Sequence, residues 1–311
     1  MRGKRGLLAA IIVIILIIIL IVASYFIYLY ISDLNAPPIQ FMKNTTFSKN
    51  QSSYSSSFQF YYNMRFAKKE VSYSVDAACS ADKKTKMLQA FTRLQEETLL
   101  LKFFQSSNPD ITVNCEETEE QVKGSYYIAG EGGPVTIINV TNFYIIEKGN
   151  VLLLYAKSEC NNYNIELHEL LHVFGFEHSE NKESIMYNIT ACNQVLTNDI
   201  INELKRLYSI PELPDLSFSN ISALKHGSYL DFYVEVKNTG LNLATDITLG
   251  VYGENEKLDD FNLGNVNYGE GKNLDVKNLK IARTTTNLKF ILVDGEELDK
   301  ENNVIEFFLP S

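Results

Sequence analysis

Apolar positions follow four successive rhythms along the chain. From Leu7 to Ile31 they form an almost unbroken run of 25 residues, dominated by Ile and Leu. As a helix, such a run is long enough to cross a bilayer core of ~30 Å. From Ser32 to Ser57 the chain is polar, with Pro37, Pro38 and a Ser-rich run, too poor in apolar residues for a core of its own. Between about 58 and 210 helical stripes mix with strand-like alternation, and beyond 216 only the period of two remains.

In the mixed region, Val71, Tyr73 and Val75 alternate and predict a strand over 70–76. Ser80 is placed to cap a helix reaching about Gln105, with Met87, Phe91, Leu94, Thr98 and Leu101 forming its buried stripe. Strands are expected at 110–115, 124–129, 135–140 and 150–155, with turns at Gly130–Pro134 and Lys148–Gly149. Asn161 or Asn162 should cap the next helix, which turns Ile165, Leu167, Leu170, Leu171 and Phe174 inward. Thr197 begins a last helix with Ile200, Ile201, Leu204, Leu207 and Tyr208 on its apolar side, and Pro211 and Pro214 end it. The C-terminal part offers seven short strands, at 216–219, 230–236, 245–252, 257–261, 273–281, 288–293 and 304–309. That pattern predicts an all-β sandwich of immunoglobulin type.

The implied organisation is a cytoplasmic N-terminus (1–6), a transmembrane helix as anchor (7–31), a polar stalk (32–57), an α+β domain (58–210), a linker (211–215) and a β-sandwich (216–311). Arg2, Lys4 and Arg5 precede the apolar run and Asp33 follows it, so the positive-inside rule places the bulk of the chain outside the cytoplasm of a single-pass membrane protein. Tyr25, Phe26, Tyr28 and Tyr30 fit an aromatic belt at the outer end. A net charge of -10 and no basic run in the folded part exclude nucleic acid as a partner. Cys79, Cys115, Cys160 and Cys192 form an even set that an exported chain would use in disulfide bonds. Three connectivities exist; Cys79–Cys115 with Cys160–Cys192 is favoured because each pair brackets one helical unit.

The chemistry concentrates in His168-Glu169-Leu170-Leu171-His172-Val173-Phe174-Gly175-Phe176-Glu177-His178-Ser179. Histidines at i and i+4 share a helix face and can reach one metal ion. Glu169 is offset toward water held by that ion, and Gly175 can take the left-handed conformation that turns the chain back to deliver His178. Three nitrogen ligands leave a fourth tetrahedral position open, the mark of a catalytic zinc site. Three of the four histidines of the chain fall on these positions.

This H-E-x-x-H-x-x-G-x-x-H string, followed by Met186 eight residues after His178, resembles the metzincin zinc metalloproteases, and in particular their matrixin branch. Leu196-Thr197-Asn198-Asp199-Ile200 is similar to the start of the matrixin C-terminal helix. The resemblance implies one catalytic Zn2+ on His168, His172 and His178, Glu169 as general base and then acid, and a methionine turn at Met186. It also implies an extended peptide pairing with an edge strand, for which 150–155 with Leu152, Leu153 and Leu154 is the candidate, and a pocket wall at Tyr187 and Asn188. Three departures stand out: no cysteine precedes Cys79 to serve as a latency switch, Asn188 replaces a common proline, and no clear calcium motif is present, which leaves Ca2+ open. Val293-Asp294-Gly295 with Glu301-Asn302-Asn303 resembles the CARDB class of cell-surface domains; the sandwich reads either as a spacer or stabilising module or as a binder of substrate, partner or a surface ligand.

The reading is a membrane-anchored, extracytoplasmic zinc endopeptidase acting on proteins or peptides, in which Glu169 assists attack by zinc-activated water. Its rivals are an adhesion or scaffold protein with an inactive metzincin fold, and a peptidase restricted to short peptides. The intact Glu169 weighs against the first rival, and a deep, closed-ended cleft would favour the second.

Overall fold

The computed structural model describes residues 58–116, 120–121, 127–154, 161–293 and 295–308, together with Val22 and Tyr25. Apart from those two positions, the expected span over 7–31 and the stalk over 32–57 lie outside the described residues. Among the described residues no helix is long and apolar enough to cross a membrane.

The first part runs β1 (Met64–Phe66), β2 (Glu70–Val75), α1 (Ala81–Thr98), β3 (Lys102–Gln105), β4 (Ile111–Cys115), β5 (Glu120–Gln121), β6 (Tyr127–Ile128), β7 (Gly130–Asn139), β8 (Tyr144–Leu153), α2 (Asn164–Val173) and α3 (Asn198–Ser209). Strand β8 is the hub of the sheet. It pairs in parallel with β1 over Tyr144–Ile146 and with β4 over Gly149–Leu153, while β7 runs antiparallel along its whole length. Because β7 occupies one side of β8 throughout, β1 and β4 must share the other. Strand β2 then joins β4 to β3. The order leaves β7 as an edge strand.

Helix α1 starts at Ser80, whose side chain accepts the Lys83 N–H, and it buries Met87, Ala90, Phe91, Leu94 and Thr98. It ends earlier than the stripe suggests. Leu99 takes φ 59°, and Thr98 Oγ1 accepts the Leu101 N–H, so 102–105 leaves the helix as a strand. Leu101 still reaches the core, but from the loop. A disulfide bond joins Cys79, just before α1, to Cys115 at the end of β4, as expected. Cys192 is also disulfide-bonded, and Cys160, its expected partner, lies outside the described residues.

Two expected turns are strand. Gly130–Pro134 belongs to β7, and Lys148–Gly149 lies within β8. The reason is close approach of α2. A Cβ on Gly132 would stand 2.0 Å from the Glu169 carbonyl oxygen, and one on Gly149 would stand 2.3 Å from Val173 Cγ1. These glycines let a helix press against backbone. The expected strand at 124–129 survives only as β6, with 124–126 outside the described residues. Strands β1 and β3 and the first half of β8 carried no legible alternation.

The second part has seven strands, matching the expected number: β9 (Leu216–His226), β10 (Tyr229–Asn238), β11 (Ala244–Gly253), β12 (Glu256–Val266), β13 (Gly271–Lys280), β14 (Asn287–Val293) and β15 (Val304–Phe308), the last preceded by a 3-10 turn at Glu301–Asn303. They form two antiparallel sheets, β13-β10-β9 and β12-β11-β14-β15. Leu230, Phe232, Val234 and Val236 face Leu249, Val251, Phe290 and their neighbours in a single apolar layer, which defines a β-sandwich.

The two parts share a third apolar cluster. Val140, Phe143, Ile145 and Leu241 are buried together, with Ile138, Ile210, Tyr268 and Leu298 against them. Leu241 N–H donates to Leu213 O, and Asn242 Nδ2 donates to Glu212 O. The sandwich therefore packs on the far end of β7 and β8.

Candidate metal centre

Helix α2 carries His168 and His172 on one face, both buried. Its expected side-chain cap is absent in that form: Tyr163 occupies the N-cap, and Asn162 Oδ1 accepts the Asn164 N–H instead. Asn164 is held by donating its amide to Ala191 O and Gln194 O. At the other end Gly175 takes φ 86°, and its N–H donates to His172 O. A Cβ there would stand 2.3 Å from Met64 Sδ, so both conformation and space require glycine. The turn brings His178 back to the helix.

The three Nε2 atoms converge. His172 Nε2 lies 3.1 Å from that of His168 and 3.2 Å from that of His178, and His168 and His178 are 3.3 Å apart. These short distances are not hydrogen bonds among the rings. His168 Nδ1–H donates to Ile185 O at 2.7 Å, and His172 Nδ1–H donates to Phe176 O at 2.7 Å. A carbonyl can only accept, so the proton sits on Nδ1 and Nε2 presents a lone pair in both neutral rings. Lone pairs facing each other at this distance repel unless a cation lies between them. Tetrahedral bonds of about 2.0–2.1 Å to zinc would separate ligand nitrogens by about 3.3 Å. The donor set fits Zn2+ in type, number and spacing.

Burial pushes the His168 imidazole down to about 4, the Ile185 carbonyl opposing and His178 adding to the shift. Burial likewise lowers His172 to about 3, with His168 adding to it. Both rings are thus held neutral, as metal ligation needs.

Glu169 is buried beside β7. Burial is the main cause of its carboxyl rising to about 8; the nearby Glu131 raises it further, and a hydrogen bond from the Gly132 N–H opposes them. A cation beside the histidines would act in the same sense as that N–H.

Met186 is buried in a tight turn, where Tyr187 N–H donates to Ser184 O and Met186 N–H to Ser184 Oγ. The turn also supplies Ile185 O to His168, and Met186 O accepts the Ser179 N–H. It therefore orients one ligand and anchors the segment bearing another. Tyr187 is half-buried and Asn188 exposed, immediately beyond.

The expected substrate strand needs correction. Leu152 pairs with Asn114 on β4 and Glu131 on β7, and Leu153 pairs with Cys115 and Gly130. Both edges of β8 are occupied, and Leu153 and Leu154 are buried in the core. No extended chain could add there. Among the described strands, the unpaired edge beside Glu169 is that of β7, over Gly130–Gly133 and beyond. Three glycines within four residues were the available signal, since clustered glycine in a strand marks close backbone approach. Sequence reading also passed over Phe60, whose ring stacks on His172 at 6.0 Å while its N–H donates to Gly175 O. Glu166, on α2, is buried with Oε2 unpartnered, and burial raises its carboxyl to about 7.

A peptidase M10 family model, described as Matrixin, matches residues 65–209. That stretch is a matrixin-like metallopeptidase domain, and the family implies zinc at the three histidines. A β-sandwich of two antiparallel sheets follows it. No curated protein sequence matches the chain significantly. Among solved structures, the CARDB domain of the PF1109 protein in complex with di-metal ions, from Pyrococcus furiosus, is 21% identical over 32% of this chain and 88% of that chain, with a TM-score of 0.26. A solution NMR structure of that CARDB domain is 20% identical over 31% of this chain and 94% of that chain, also with a TM-score of 0.26.

Proposed function

We propose that the chain is a zinc-dependent endopeptidase acting on extended segments of protein substrates. The observation that carries this reading is the convergence of three imidazole Nε2 atoms, with His168 and His172 held neutral and presenting lone pairs, next to the buried Glu169 and under an open strand edge. Zinc on His168, His172 and His178 would supply Lewis acidity for the scissile carbonyl and lower the pKa of water toward ~7. Glu169 then takes the proton from the attacking water and returns it to the leaving nitrogen. Its low exposure favours the protonated carboxyl in the second half of that exchange, and the Gly132 N–H holds the carboxylate in the first.

The substrate backbone would add to β7 by β-augmentation, its N–H and C=O groups bonding along the open edge. Gly130 and Gly132 hold that edge close against Glu169, so a peptide added there would run beside the carboxyl. Tyr187 and Asn188, following Met186, would wall the pocket beside the scissile bond. We further propose that residues 7–31 anchor the protein in a membrane with the catalytic part outside the cytoplasm, a reading supported by their length, their apolar character and the Arg2, Lys4, Arg5 flank.

The test uses the full chain purified in detergent with an unstructured protein as substrate. Turnover should vanish with a chelator and return with zinc. Glu169→Gln should lower kcat by about 10²–10⁴-fold, the range for a general base, with zinc still bound at one equivalent. Cleavage that survives both treatments would sink the mechanism.

A further inference from the structure

Phe60 and Tyr61 leave large aromatic rings in the open beside the three histidines. Phe60 is 39 % exposed and Tyr61 37 % exposed, although the segment that carries them is firmly held. Gln59 is buried, and its Nε2 donates to Met64 O at 2.8 Å and to Phe174 O at 3.2 Å. Phe60 N–H donates to Gly175 O and Glu177 N–H to Phe58 O, which pairs the segment with the turn that delivers His178. An exposed ring on a fixed backbone offers contact area with little ordering left to do on binding. Both rings precede the matrixin match at residues 65–209, so nothing in that match assigns them a role.

Their positions mark a direction along the cleft. Phe60 is stacked on His172, with centroids 6.0 Å apart, and Tyr61 on Tyr144, at 4.4 Å. Tyr144 pairs with Asn139 at the far end of β7. Strand β7 and helix α2 run the same way: Gly130 and Gly132 abut Glu169, while Gly149, the partner of Pro134, abuts Val173. The aromatic row therefore begins at the metal ligands and continues on the side toward which β7 runs. A chain added to β7 in the antiparallel sense, the more stable pairing, would lay the residues before its scissile bond on that side. The residues after the bond would lie toward Gly130.

We propose that Phe60, with Tyr61 further along, forms a subsite that selects an apolar or aromatic side chain just before the scissile bond. This rests on the peptidase reading and adds a preference to it. A substrate ring or branched aliphatic group laid on Phe60 buries apolar area on both partners, and an aromatic one gains offset or edge-on stacking as well. A carboxylate there would face the negative face of the ring and lose water without a donor in return. Because Gln59 bolts the backbone behind it, Phe60 meets the substrate in one position rather than many.

The experiment digests a randomised peptide library with the zinc-loaded full chain and reads the cleavage sites by mass spectrometry. Phe, Tyr and Leu should be enriched immediately before the scissile bond. Phe60→Ala should erase that enrichment and lower kcat/KM about tenfold, through KM, for a peptide with Phe there. A matched peptide with Ser in that place should change little, and Phe60→Leu should keep the apolar preference. The same library is captured on zinc-loaded Glu169→Gln protein, which reads selection without turnover. Aromatic peptides captured there, with no cleavage by the wild type, would sink the peptidase reading and leave the subsite standing. No apolar preference in either arm, or one that survives Phe60→Ala, overturns the subsite. So does a preference confined to the residues after the bond. An equal loss for both matched peptides, with weaker zinc binding, would make Phe60 a prop for His172 and overturn it too.

Discussion

The carbonyl oxygen of Glu169 and the α-carbon of Gly132 are so close that a methyl group on Gly132 would stand 2.0 Å from that oxygen. The same strand residue donates its N–H to the Glu169 carboxylate. Gly132 therefore fixes the catalytic helix and the proposed base together. Gly132→Ala must push β7 away from α2. Overpacking of this kind costs about 1–3 kcal/mol. A lower Tm with zinc retained at one equivalent, and a fall in kcat/KM beyond what lost folded protein explains, is the expected outcome. Unchanged kinetics in the folded fraction would show that β7 does not set Glu169.

Acidification should destabilise the metal-free protein through His168 and His172. Their folded values, about 4 and about 3, lie below the unfolded value of 6.5. Below pH 6.5 the unfolded chain binds more protons, so stability is full above that pH and is lost as pH falls toward the folded values. Each histidine contributes a slope of up to about 1.4 kcal/mol per pH unit in that window. Glu166 and Glu169, whose carboxyls are raised by burial, act in the opposite sense as pH falls, so the test is a difference. Between pH 6.5 and 4.5 chelated wild-type protein should lose more Tm than chelated His168→Gln/His172→Gln, in which only the opposing carboxyls remain. Parallel curves would mean that these rings are not held neutral by the fold.

Much of this was legible in the residues, and what was not has a common physical cause. His168, His172, Gly175 and His178 could be placed because helix periodicity and a left-handed turn are local properties. The seven strands of the sandwich were legible because one face of each is wet, so apolar and polar residues alternate. Strand β8 was read as its second half only, and β7 as partly a turn, because glycines there serve contact with α2, and no local pattern reveals a helix arriving from a distant part of the chain. The edge was misassigned to Leu152–Leu154 for a related reason. A run of leucines signals burial, and burial on a strand means neighbours on both faces, whereas a substrate edge needs a missing neighbour that only topology reveals. The carbonyls of Ile185 and Phe176, which set the histidine tautomers, are backbone atoms with no sequence signature at all.

The Cys79–Cys115 bond closes a loop with a sequence separation of 36 and ties the start of α1 to the end of β4. Chain-entropy reasoning gives such a loop about 3–4 kcal/mol. Cys79→Ser/Cys115→Ser should lower stability by that order under non-reducing conditions, with a reduced denaturant midpoint and an unchanged m-value. His168 and His172 are held by the Ile185 and Phe176 carbonyls rather than by the segments that carry the two cysteines, so the folded variant should keep zinc. Loss of the metal in folded protein would show that the bond shapes the site rather than the unfolded chain.

The last prediction concerns why a sandwich follows the peptidase part. Gly269, in the loop between β12 and β13, takes φ 76°, and a Cβ there would stand 2.5 Å from Ile138 Cγ2. Ile138 belongs to β7, six residues beyond Gly132, so one strand touches the sandwich at one end and Glu169 at the other. Register shifts flank Thr136, between these two points, which makes the far half of β7 dependent on outside support for its direction. Gly269→Ala strains the loop and crowds Ile138 without touching any group near the zinc site. If the sandwich steadies the substrate edge, KM for a protein substrate should rise several-fold while kcat changes little, since Glu169 and the zinc ligands stay in place. A short peptide spanning only the glycine end of β7 should be affected less. A lower Tm with KM unchanged for both substrates would instead make the sandwich a passenger on the fold.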